Sequence, residues 1–206
     1  MTARVKFCGM TRREDLEAAA GIGVDAVGLV FVPGTPRNLD LDRARELVRG
    51  LPPFLGKVGV FADSSAARVR RIREALGLTA VQLHGRETPE QCAAVGGVLI
   101  KSFPVTENWD PSILTQYECE ACLLEMRGSV KRTAAGVTFD WRRWVGKKLG
   151  RRIILAGGLT PENVAEAVRG VRPYAVDVSR GIESAPGIKD RDRMVAFLEA
   201  VRSADE

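Results

Sequence analysis

The sequence has few of the residues that build metal and disulfide sites. It contains one histidine, His84, and four cysteines among 206 residues. Cys119 and Cys122 form a C-x-x-C motif, but no second pair follows it, and a structural zinc ion takes four ligands at suitable spacing. If residues 119–125 form a strand, side chains three positions apart face opposite sides of it. We therefore expect neither a metal site nor a disulfide framework.

Long apolar runs are also missing. No stretch reaches the length that crosses a membrane, and the first nine residues lack the apolar segment of a signal peptide. We therefore expect a cytoplasmic protein. Hydrophobic residues make up 45% of the chain and charged residues 28%, which is typical of a soluble globular protein. No change of composition suggests a linker, so one domain is expected over residues 1–206.

The charge of the chain is modest and spread along its length. The net charge is +5, and the basic group RVRRIR at residues 68–73 lies within one helical pattern. Such a group is more often a solvated helix face than a nucleic-acid patch. We expect no nucleic-acid partner, because a mildly basic protein suits phosphorylated small molecules equally well.

The stretch of residues 153–183 has the pattern of a strand–helix–strand unit. Two apolar runs rich in β-branched residues, 153–156 and 174–178, predict buried strands. Between them, Thr160 can cap a helix that starts at Pro161. The two strands are therefore expected to be parallel neighbours.

Glycines follow both of these strands. Gly157 and Gly158 come after the first strand, and Ser179, Arg180 and Gly181 come after the second. Glycine lets backbone N–H groups approach an anion closely, and barrels often hold a phosphate after their last two strands. The alternative is that these glycines only make tight turns. The paired arrangement favours a phosphate cradle, a name we use for these five residues.

Six further apolar runs precede this unit and alternate with helical patterns or loops. The eight predicted strands are residues 5–9, 25–31, 56–61, 80–83, 98–103, 119–125, 153–156 and 174–178. Such a series fits a closed eight-stranded barrel or an open doubly wound sheet. The open sheet favours a G-x-G-x-x-G turn after its first strand, and CGMT at residues 8–11 lacks it. We therefore predict an α/β fold, a small (β/α)8 TIM barrel trimmed in its fifth helix.

Capping residues predict where helices begin, because they accept hydrogen bonds from the free N–H groups of the first turn. The predicted caps, besides Thr160, are Thr11 with Glu14, Ser64 or Ser65, and Thr88, and the last helix is expected to run from about Asp190. A polar loop is expected at residues 126–138, followed by a short helix from Asp140.

Four chemically distinctive residues occupy the carboxyl ends of predicted strands. Cys8 ends strand one, Arg37 follows strand two, His84 follows strand four and Glu125 ends strand six. In a βα barrel these positions meet around one mouth, where the active site lies. Cys8 could instead be a small buried hydrophobe, Arg37 a loop charge and His84 a cap for the next turn. Glu125 closes an apolar strand, where a carboxylate needs a partner or a catalytic role.

Several longer motifs make the whole chain similar to one family. They read VKFCGMT, VGLVFVPGTPRN, VGVF, VQLHGRE, TFDW, ILAGGLTPENV, DVSRGIE and PGIKD. Together they resemble phosphoribosylanthranilate isomerase, the βα-barrel enzyme of tryptophan biosynthesis, over essentially the full length. The resemblance implies an Amadori rearrangement of N-(5-phosphoribosyl)anthranilate without a metal or cofactor. It also implies a small-molecule phosphoribosyl substrate and a monomer or homodimer.

The resemblance implies a role for each candidate residue. Cys8 resembles the general base that takes the proton from C2 of the opened sugar, and Lys6 is a candidate for lowering its pKa. Arg37 would hold the anthranilate carboxylate, and the phosphate cradle would bind the phosphate through its backbone. Glu125 stands where the family has the general acid that protonates the ring oxygen. Lys6, Arg37, His84 and the phosphate cradle are the predicted substrate-binding residues.

Three positions depart from the family pattern. Glu125 replaces the usual aspartate, residues 132–136 read RTAAG where GGTG or GGSG is usual, and Arg180 replaces a second serine. The extra methylene moves the carboxyl group by about one bond, and fewer glycines stiffen the loop. Two alternatives stay open: an isomerase with a shifted substrate, such as a phosphoribosyl substrate of histidine biosynthesis, and a non-catalytic phosphosugar-binding homologue. Cys8 argues against the first, because the histidine-pathway family commonly uses aspartates as both acid and base.

Overall fold

Eight parallel strands close into a barrel in the computed structural model, which describes residues 3–106, 108–126, 131–133, 136–138, 144–147 and 149–205. The strands follow chain order around the barrel, and the last pairs with the first. They are β1 (Arg4–Cys8), β2 (Ala26–Val30), β3 (Gly56–Phe61), β4 (Ala80–Leu83), β5 (Leu99–Val105), β6 (Ala121–Met126), β7 (Ile153–Ala156) and β8 (Ala175–Val178). The predicted TIM barrel and its eight strands are confirmed.

Helices on the described part of the chain cover the outside of this barrel. They are α1 (Arg13–Ile22), α2 (Leu41–Val48), α3 (Ala66–Leu76), α4 (Pro89–Val95), α5 (Val164–Val171) and α6 (Arg191–Arg202). The connection after β5 carries a six-residue 3₁₀ helix, Pro111–Gln116. The prediction that the fifth helix is trimmed is therefore confirmed.

The segment predicted as a polar loop, residues 126–138, contains more order than expected. Lys131–Thr133 and Gly136–Thr138 pair as two short antiparallel strands. Valine and threonine favour extended backbone, which explains how a polar stretch forms a hairpin. Ala134 and Ala135 of the altered RTAAG stretch lie outside the described residues, and so does the helix predicted from Asp140. A second hairpin, Glu183–Ala185 with Ile188–Lys189, follows β8.

The buried apolar side chains form two layers because side chains alternate along each strand. Leu123 of β6 packs inside the barrel with Val58 and Ile154. The next residue, Leu124, belongs to the larger cluster that also holds Phe197 of α6. Each fully buried side chain of this size contributes about 1.5–3 kcal/mol. These two layers hold the strand ends, and therefore the site built on them, in place.

Three of the predicted helix starts are confirmed. Ser65 accepts a hydrogen bond from the N–H of Arg68 at the start of α3, and Asp190 caps α6. Thr88 and Gln91 form a capping box at the start of α4, in which each side chain accepts from the other residue's backbone N–H. Each such cap contributes roughly 1 kcal/mol.

The two caps predicted at Thr11 and Thr160 are wrong, the first because of a tertiary contact and the second because of a local turn. The Thr11 hydroxyl donates to the carbonyl oxygen of Gly187, and α1 begins without a side-chain cap. The turn after Thr160 is held by Asn163, whose Oδ1 accepts from the Thr160 N–H at 2.9 Å. Because this turn occupies residues 161–163, α5 starts at Val164 instead of Pro161.

The basic face of α3 binds the neighbouring helix. Arg70 donates to the carbonyl oxygen of Ala94, and Arg73 donates to those of Val95 and Gly96. The carboxyl end of a helix leaves carbonyls without helical partners and carries partial negative charge, which suits guanidinium groups. Two arginines of the group predicted to be a solvated face therefore link α3 to α4 by hydrogen bonds.

Among the described helices, none combines the length and hydropathy required to span a bilayer.

Candidate active site

A cavity of about 780 Å³ opens at the carboxyl ends of the barrel strands. Nine of the ten residues predicted from the sequence line it, namely Cys8, Arg37, His84, Glu125, Gly157, Gly158, Ser179, Arg180 and Gly181. The tenth, Lys6, is 4% exposed and lies beneath the cavity wall. The predicted convergence of these residues around one mouth is therefore confirmed, and their chemical roles stay predictions.

Cys8 lies over a buried ion pair. Lys6 Nζ donates to Asp177 Oδ1 at 2.7 Å, which joins the neighbouring strands β1 and β8 inside the barrel. Gly28 of β2 makes room for this arrangement, since a Cβ there would lie 2.8 Å from Cys8 Sγ and 3.1 Å from Lys6 Nζ. The thiol is thus held against a lysine ammonium group, with glycine as the only residue that leaves enough space.

Burial and charge act on the Cys8 thiol in opposite directions. Burial raises the pKa of Cys8, because a thiolate loses hydration there. Lys6 lowers it, as the sequence suggested, and Asp177 raises it again, so the net pKa is raised. Burial lowers the pKa of Lys6, but Asp177 and Cys8 outweigh burial and leave it raised, so the lysine stays charged.

Lys189 connects three parts of the site, and it is fully buried. Its Nζ donates to the Cys8 carbonyl oxygen at 2.6 Å and to the Ser179 carbonyl oxygen at 3.3 Å. It also pairs with Glu183 Oε1 at 2.8 Å. A lysine offers three donors from one point charge, so it can join strand ends that converge from different directions.

Glu183 in turn positions Arg37. Arg37 Nε donates to Glu183 Oε1 at 2.8 Å, and Nη2 donates to the other carboxylate oxygen. Burial would raise the pKa of Glu183, but hydrogen bonds from Arg37 and Lys189 outweigh it and leave the pKa lowered. Gly9, at φ +76°, leaves space for the Arg37 side chain, since a Cβ there would collide with it.

On the opposite side of the mouth, His84 and Glu125 face each other. His84 Nε2 lies 3.3 Å from Glu125 Oε2. Gln82 Nε2 lies 3.0 Å from His84 Nδ1, and an amide nitrogen can only donate. With the Gln82 amide in this orientation, a neutral His84 ring carries its proton on Nε2, which faces the carboxylate. Among the described residues, Gln82 Oε1 has no hydrogen-bond partner although it is buried.

The turn behind His84 rests on a second buried ion pair. Lys101 Nζ donates to Glu87 Oε2 at 2.8 Å and to the Gly85 carbonyl oxygen at 2.9 Å. The Glu87 carboxylate also accepts from the N–H groups of Gly85 and Asp63. Because both charges are buried and multiply bonded, this pair fixes the backbone next to His84.

The two glycine turns touch each other. Gly157 and Gly158 take φ values of +92° and +66°, which side chains rarely adopt. Asn163 Nδ2 donates to the Gly158 carbonyl oxygen at 2.9 Å and holds this turn. Gly181 approaches so closely that a Cβ would collide with the Leu159 carbonyl oxygen. This close contact requires glycine at position 181. It brings the two turns together into one concave wall.

Two arginines lie at the rim of this wall. Arg180 and Arg193 are both exposed and both line the cavity. Arg193 belongs to α6, and its guanidinium donates to the Gly181 carbonyl oxygen at 3.3 Å. Arg180, which replaces a second serine of the resembled family pattern, therefore stands at the edge of the cavity, next to the solvent.

Sequence reasoning missed four residues that organise the site, namely Gln82, Asp177, Glu183 and Lys189. All four are polar side chains inside short apolar runs or quoted motifs, and buried polar groups of this kind need partners. That signal could have marked them as candidates, but the identity of each partner depends on contacts between distant strands.

No group of metal-ligating side chains occurs among the residues that the structure describes.

The C-x-x-C pair does not follow its predicted geometry. Cys119 precedes β6 instead of lying within it, and its Sγ approaches Cys122 Sγ to 3.6 Å. The chain bends at Glu120, so strand alternation does not separate the two thiols. The expectation that they face opposite sides is therefore wrong.

The chain matches known proteins along nearly its entire length. The family model described as N-(5'-phosphoribosyl)anthranilate isomerase matches residues 5–200. A protein of that name from Nitrosococcus oceani is 45% identical, with 100% of both chains covered.

Solved structures agree with this match. Phosphoribosyl anthranilate isomerase from Thermotoga maritima superposes with a TM-score of 0.88 at 35% identity, covering 98% of this chain and 99% of the other. A structure of the enzyme in complex with reduced 1-(o-carboxyphenylamino)-1-deoxyribulose 5-phosphate has a TM-score of 0.84 at 34% identity, with 98% and 99% covered. The chain therefore belongs to the N-(5'-phosphoribosyl)anthranilate isomerase family.

Proposed function

We propose that this chain converts N-(5-phosphoribosyl)anthranilate into 1-(2-carboxyphenylamino)-1-deoxyribulose 5-phosphate, an Amadori rearrangement in tryptophan biosynthesis. The observation that carries the proposal is the meeting of Cys8, Arg37, Glu125 and the phosphate cradle around one cavity. Each chemical group of this substrate finds a matching group there. The solved complex of a family member with a reduced product analogue supports the same ligand class.

The phosphate cradle binds the substrate phosphate. The turns after β7 and β8 form a concave wall whose glycines admit close approach of an anion to backbone N–H groups. Arg180 and Arg193 at the rim add positive charge. Because β7 and β8 lie between β6 and β1 in the barrel, this anchor places the sugar between Glu125 and Cys8.

Arg37 binds the anthranilate carboxylate. A guanidinium has five N–H donors, and Glu183 takes one from Nε and one from Nη2. The remaining donors serve the substrate, while the fork on Glu183 keeps the arginine in one orientation. Gln82 Oε1, buried at the cavity wall, accepts a hydrogen bond from a sugar hydroxyl.

Glu125 starts the reaction and Cys8 carries it forward. The Glu125 carboxyl group donates its proton to the ring oxygen, so the furanose opens to a Schiff base. The Cys8 thiolate then takes the proton from C2, which gives an enolamine. The enolamine becomes the ketone when its C2 hydroxyl loses a proton and C1 gains one, so this last step is a tautomerisation with no net gain of protons. Lys6 remains positively charged beneath the thiolate and stabilises it.

The test is turnover of N-(5-phosphoribosyl)anthranilate by the purified protein, followed as loss of substrate fluorescence. We expect turnover in the native chain and a loss of roughly 10²–10⁴-fold in Cys8→Ser and in Glu125→Ala, the usual contribution of a general acid or base. Circular dichroism and melting temperature establish that both variants fold. Full activity in either variant contradicts the role assigned to that residue.

Absence of turnover in the native chain contradicts the proposed reaction. Melting temperature with the reduced product analogue then separates the remaining alternatives, because a ligand that binds the folded state raises it. A raised melting temperature without turnover identifies a non-catalytic or substrate-shifted homologue that still binds phosphosugars.

A further inference from the structure

Cys119 and Cys122 form a thiol pair at the amino-terminal end of β6, opposite the active site. Their Sγ atoms lie 3.6 Å apart and share a hydrogen bond. Cys119 lies in the wall of a cleft of about 1360 Å³ that is also lined by Arg151 and Tyr174. Glu125, by contrast, stands near the carboxyl end of the same strand. The proposed reaction makes no use of this pair.

The backbone brings the two thiols together. At the bend between them, Glu120 N–H donates to the Leu99 carbonyl oxygen at 2.9 Å. The Glu120 carboxylate accepts from the Leu99 N–H at 2.6 Å. These two bonds fix the bend to β5, so the approach of the sulfur atoms follows from the strand pairing. A disulfide requires the sulfurs to close to about 2.05 Å, a change within reach of side-chain rotation.

The two thiols differ in access and acidity. Cys122 is completely buried, whereas Cys119 is half-buried and reaches the cleft. The hydrogen bond from Cys122 lowers the pKa of Cys119 to about 7 despite burial, aided by the Lys101 N–H and Arg151. The same hydrogen bond raises the pKa of Cys122. The pair therefore loses one proton readily, and the more accessible sulfur, that of Cys119, is the one that becomes a thiolate.

We propose that Cys119 and Cys122 are a reversible dithiol–disulfide site that reacts with small-molecule disulfides such as glutathione disulfide. The Cys119 thiolate attacks one sulfur of the small disulfide, whose S–S bond breaks and releases one thiolate that takes up a proton. Cys122 then loses its proton, attacks the Cys119 sulfur and releases the second small thiol. The protein loses two electrons and two protons, and the small disulfide becomes two thiols.

The other cysteines serve as internal controls. Cys92 is 1% exposed, and burial raises its pKa to about 11. Cys8 is 8% exposed, and burial raises its pKa as well. A thiol reacts as thiolate, so both are slow to attack a small disulfide at neutral pH.

The test is intact-protein mass and peptide mapping after the native protein is treated with glutathione disulfide at neutral pH. We expect the mass to fall by two hydrogens, with the bond mapped to Cys119 and Cys122. Cys122→Ser should accumulate a glutathione adduct on Cys119, because the resolving thiol is gone, and Cys119→Ser should stay unmodified. Cys92→Ser, the matched control, should behave as the unaltered protein.

Two results would overturn the proposal. One is a native protein that stays fully reduced while the urea-unfolded chain oxidises under the same conditions. The other is a bond or adduct that maps to Cys92 or Cys8. If Cys122→Ser does not fold, Cys122→Ala takes its place, and melting temperature identifies the folded variant.

The pH dependence of Cys119 labelling gives a second readout. The rate of reaction with glutathione disulfide in Cys122→Ala reports the Cys119 thiolate, and Arg151→Met should shift the midpoint of that rate upward because a nearby cation is lost. An unchanged midpoint contradicts the role assigned to Arg151.

Discussion

The two sides of the barrel mouth are built in different ways. Cys8, on the β1 side, is 8% exposed and is enclosed by Lys6 and Lys189, which are both buried. On the β6 side, the Glu125 side chain is 27% exposed and meets His84, which is 26% exposed, at 3.3 Å. The first side joins β1, β8 and the following hairpin through charged groups, whereas the second side places two half-exposed residues opposite each other.

This difference predicts which side of the site tolerates substitution. A buried charge without its partner is costly, so the network around Cys8 tolerates little change. A half-exposed carboxylate keeps part of its hydration and can move by one bond length at low cost. The family pattern has aspartate where this chain has Glu125, and the departure falls on the side with more freedom.

Replacement of Cys8 by serine should have the largest effect. A serine hydroxyl does not ionise near neutral pH, so the variant lacks the base, and we expect kcat to fall by roughly 10³-fold. The measurement is turnover of N-(5-phosphoribosyl)anthranilate at saturating substrate. A fall of less than about tenfold, with fold intact, would assign the base elsewhere.

Replacement of Lys189 by methionine should affect stability and activity together. The variant leaves the Cys8 carbonyl without its buried donor and Glu183 with Arg37 as its remaining cation, so we expect a loss of about 3 kcal/mol in the free energy of unfolding. Urea unfolding measures it, and kcat should fall in parallel because Cys8 and Arg37 lose their common support. Lys147→Met is the matched control, since Lys147 is exposed. Equal stability of the two variants would contradict the claim that Lys189 stabilises the site.

The pH dependence of kcat/KM should report the buried thiol. Burial raises the pKa of Cys8 above the ordinary thiol value, and the proposed base is the thiolate. The native profile also depends on protonated Glu125, so the readout for Cys8 is Glu125→Ala, whose residual activity should rise with pH, about tenfold per pH unit below the Cys8 pKa, and level off above it. Adding Cys92→Ala to this variant should leave the profile unchanged. A profile of Glu125→Ala that is flat between about pH 6 and pH 9 contradicts Cys8 as the free base.

Shortening of the acid should have the smallest effect. Glu125→Asp restores the usual family residue and moves the carboxyl group by one bond, and we expect kcat to stay within about tenfold because this side of the mouth is open. Glu125→Ala, measured beside it, should lose about 10²-fold or more. An aspartate variant as inactive as the alanine variant would show that the acid side is as rigid as the base side.

Local patterns were enough to predict much of the architecture. Apolar runs located all eight strands, and Ser65, Thr88 and Asp190 marked helix starts, because these signals depend on neighbours in the sequence. The prediction at Thr11 was wrong because its hydroxyl bonds the Gly187 carbonyl oxygen, 176 positions away, and chain distance hides such a partner. The prediction at Thr160 was wrong for a local reason, since Asn163 accepts from the Thr160 N–H and the chain makes a turn before α5 begins.

The barrel class, the family and nine residues of the cavity wall could be predicted from the sequence, since strand ends of a βα barrel meet at one mouth. How those residues are held depends on contacts that form only in the folded protein. Lys189 reaches Cys8 across 181 positions, and Lys6 reaches Asp177 across 171. The bend that joins Cys119 to Cys122 depends on Leu99 of the adjacent strand. Directional bonds between buried polar groups depend on positions in space, and barrel closure sets those positions.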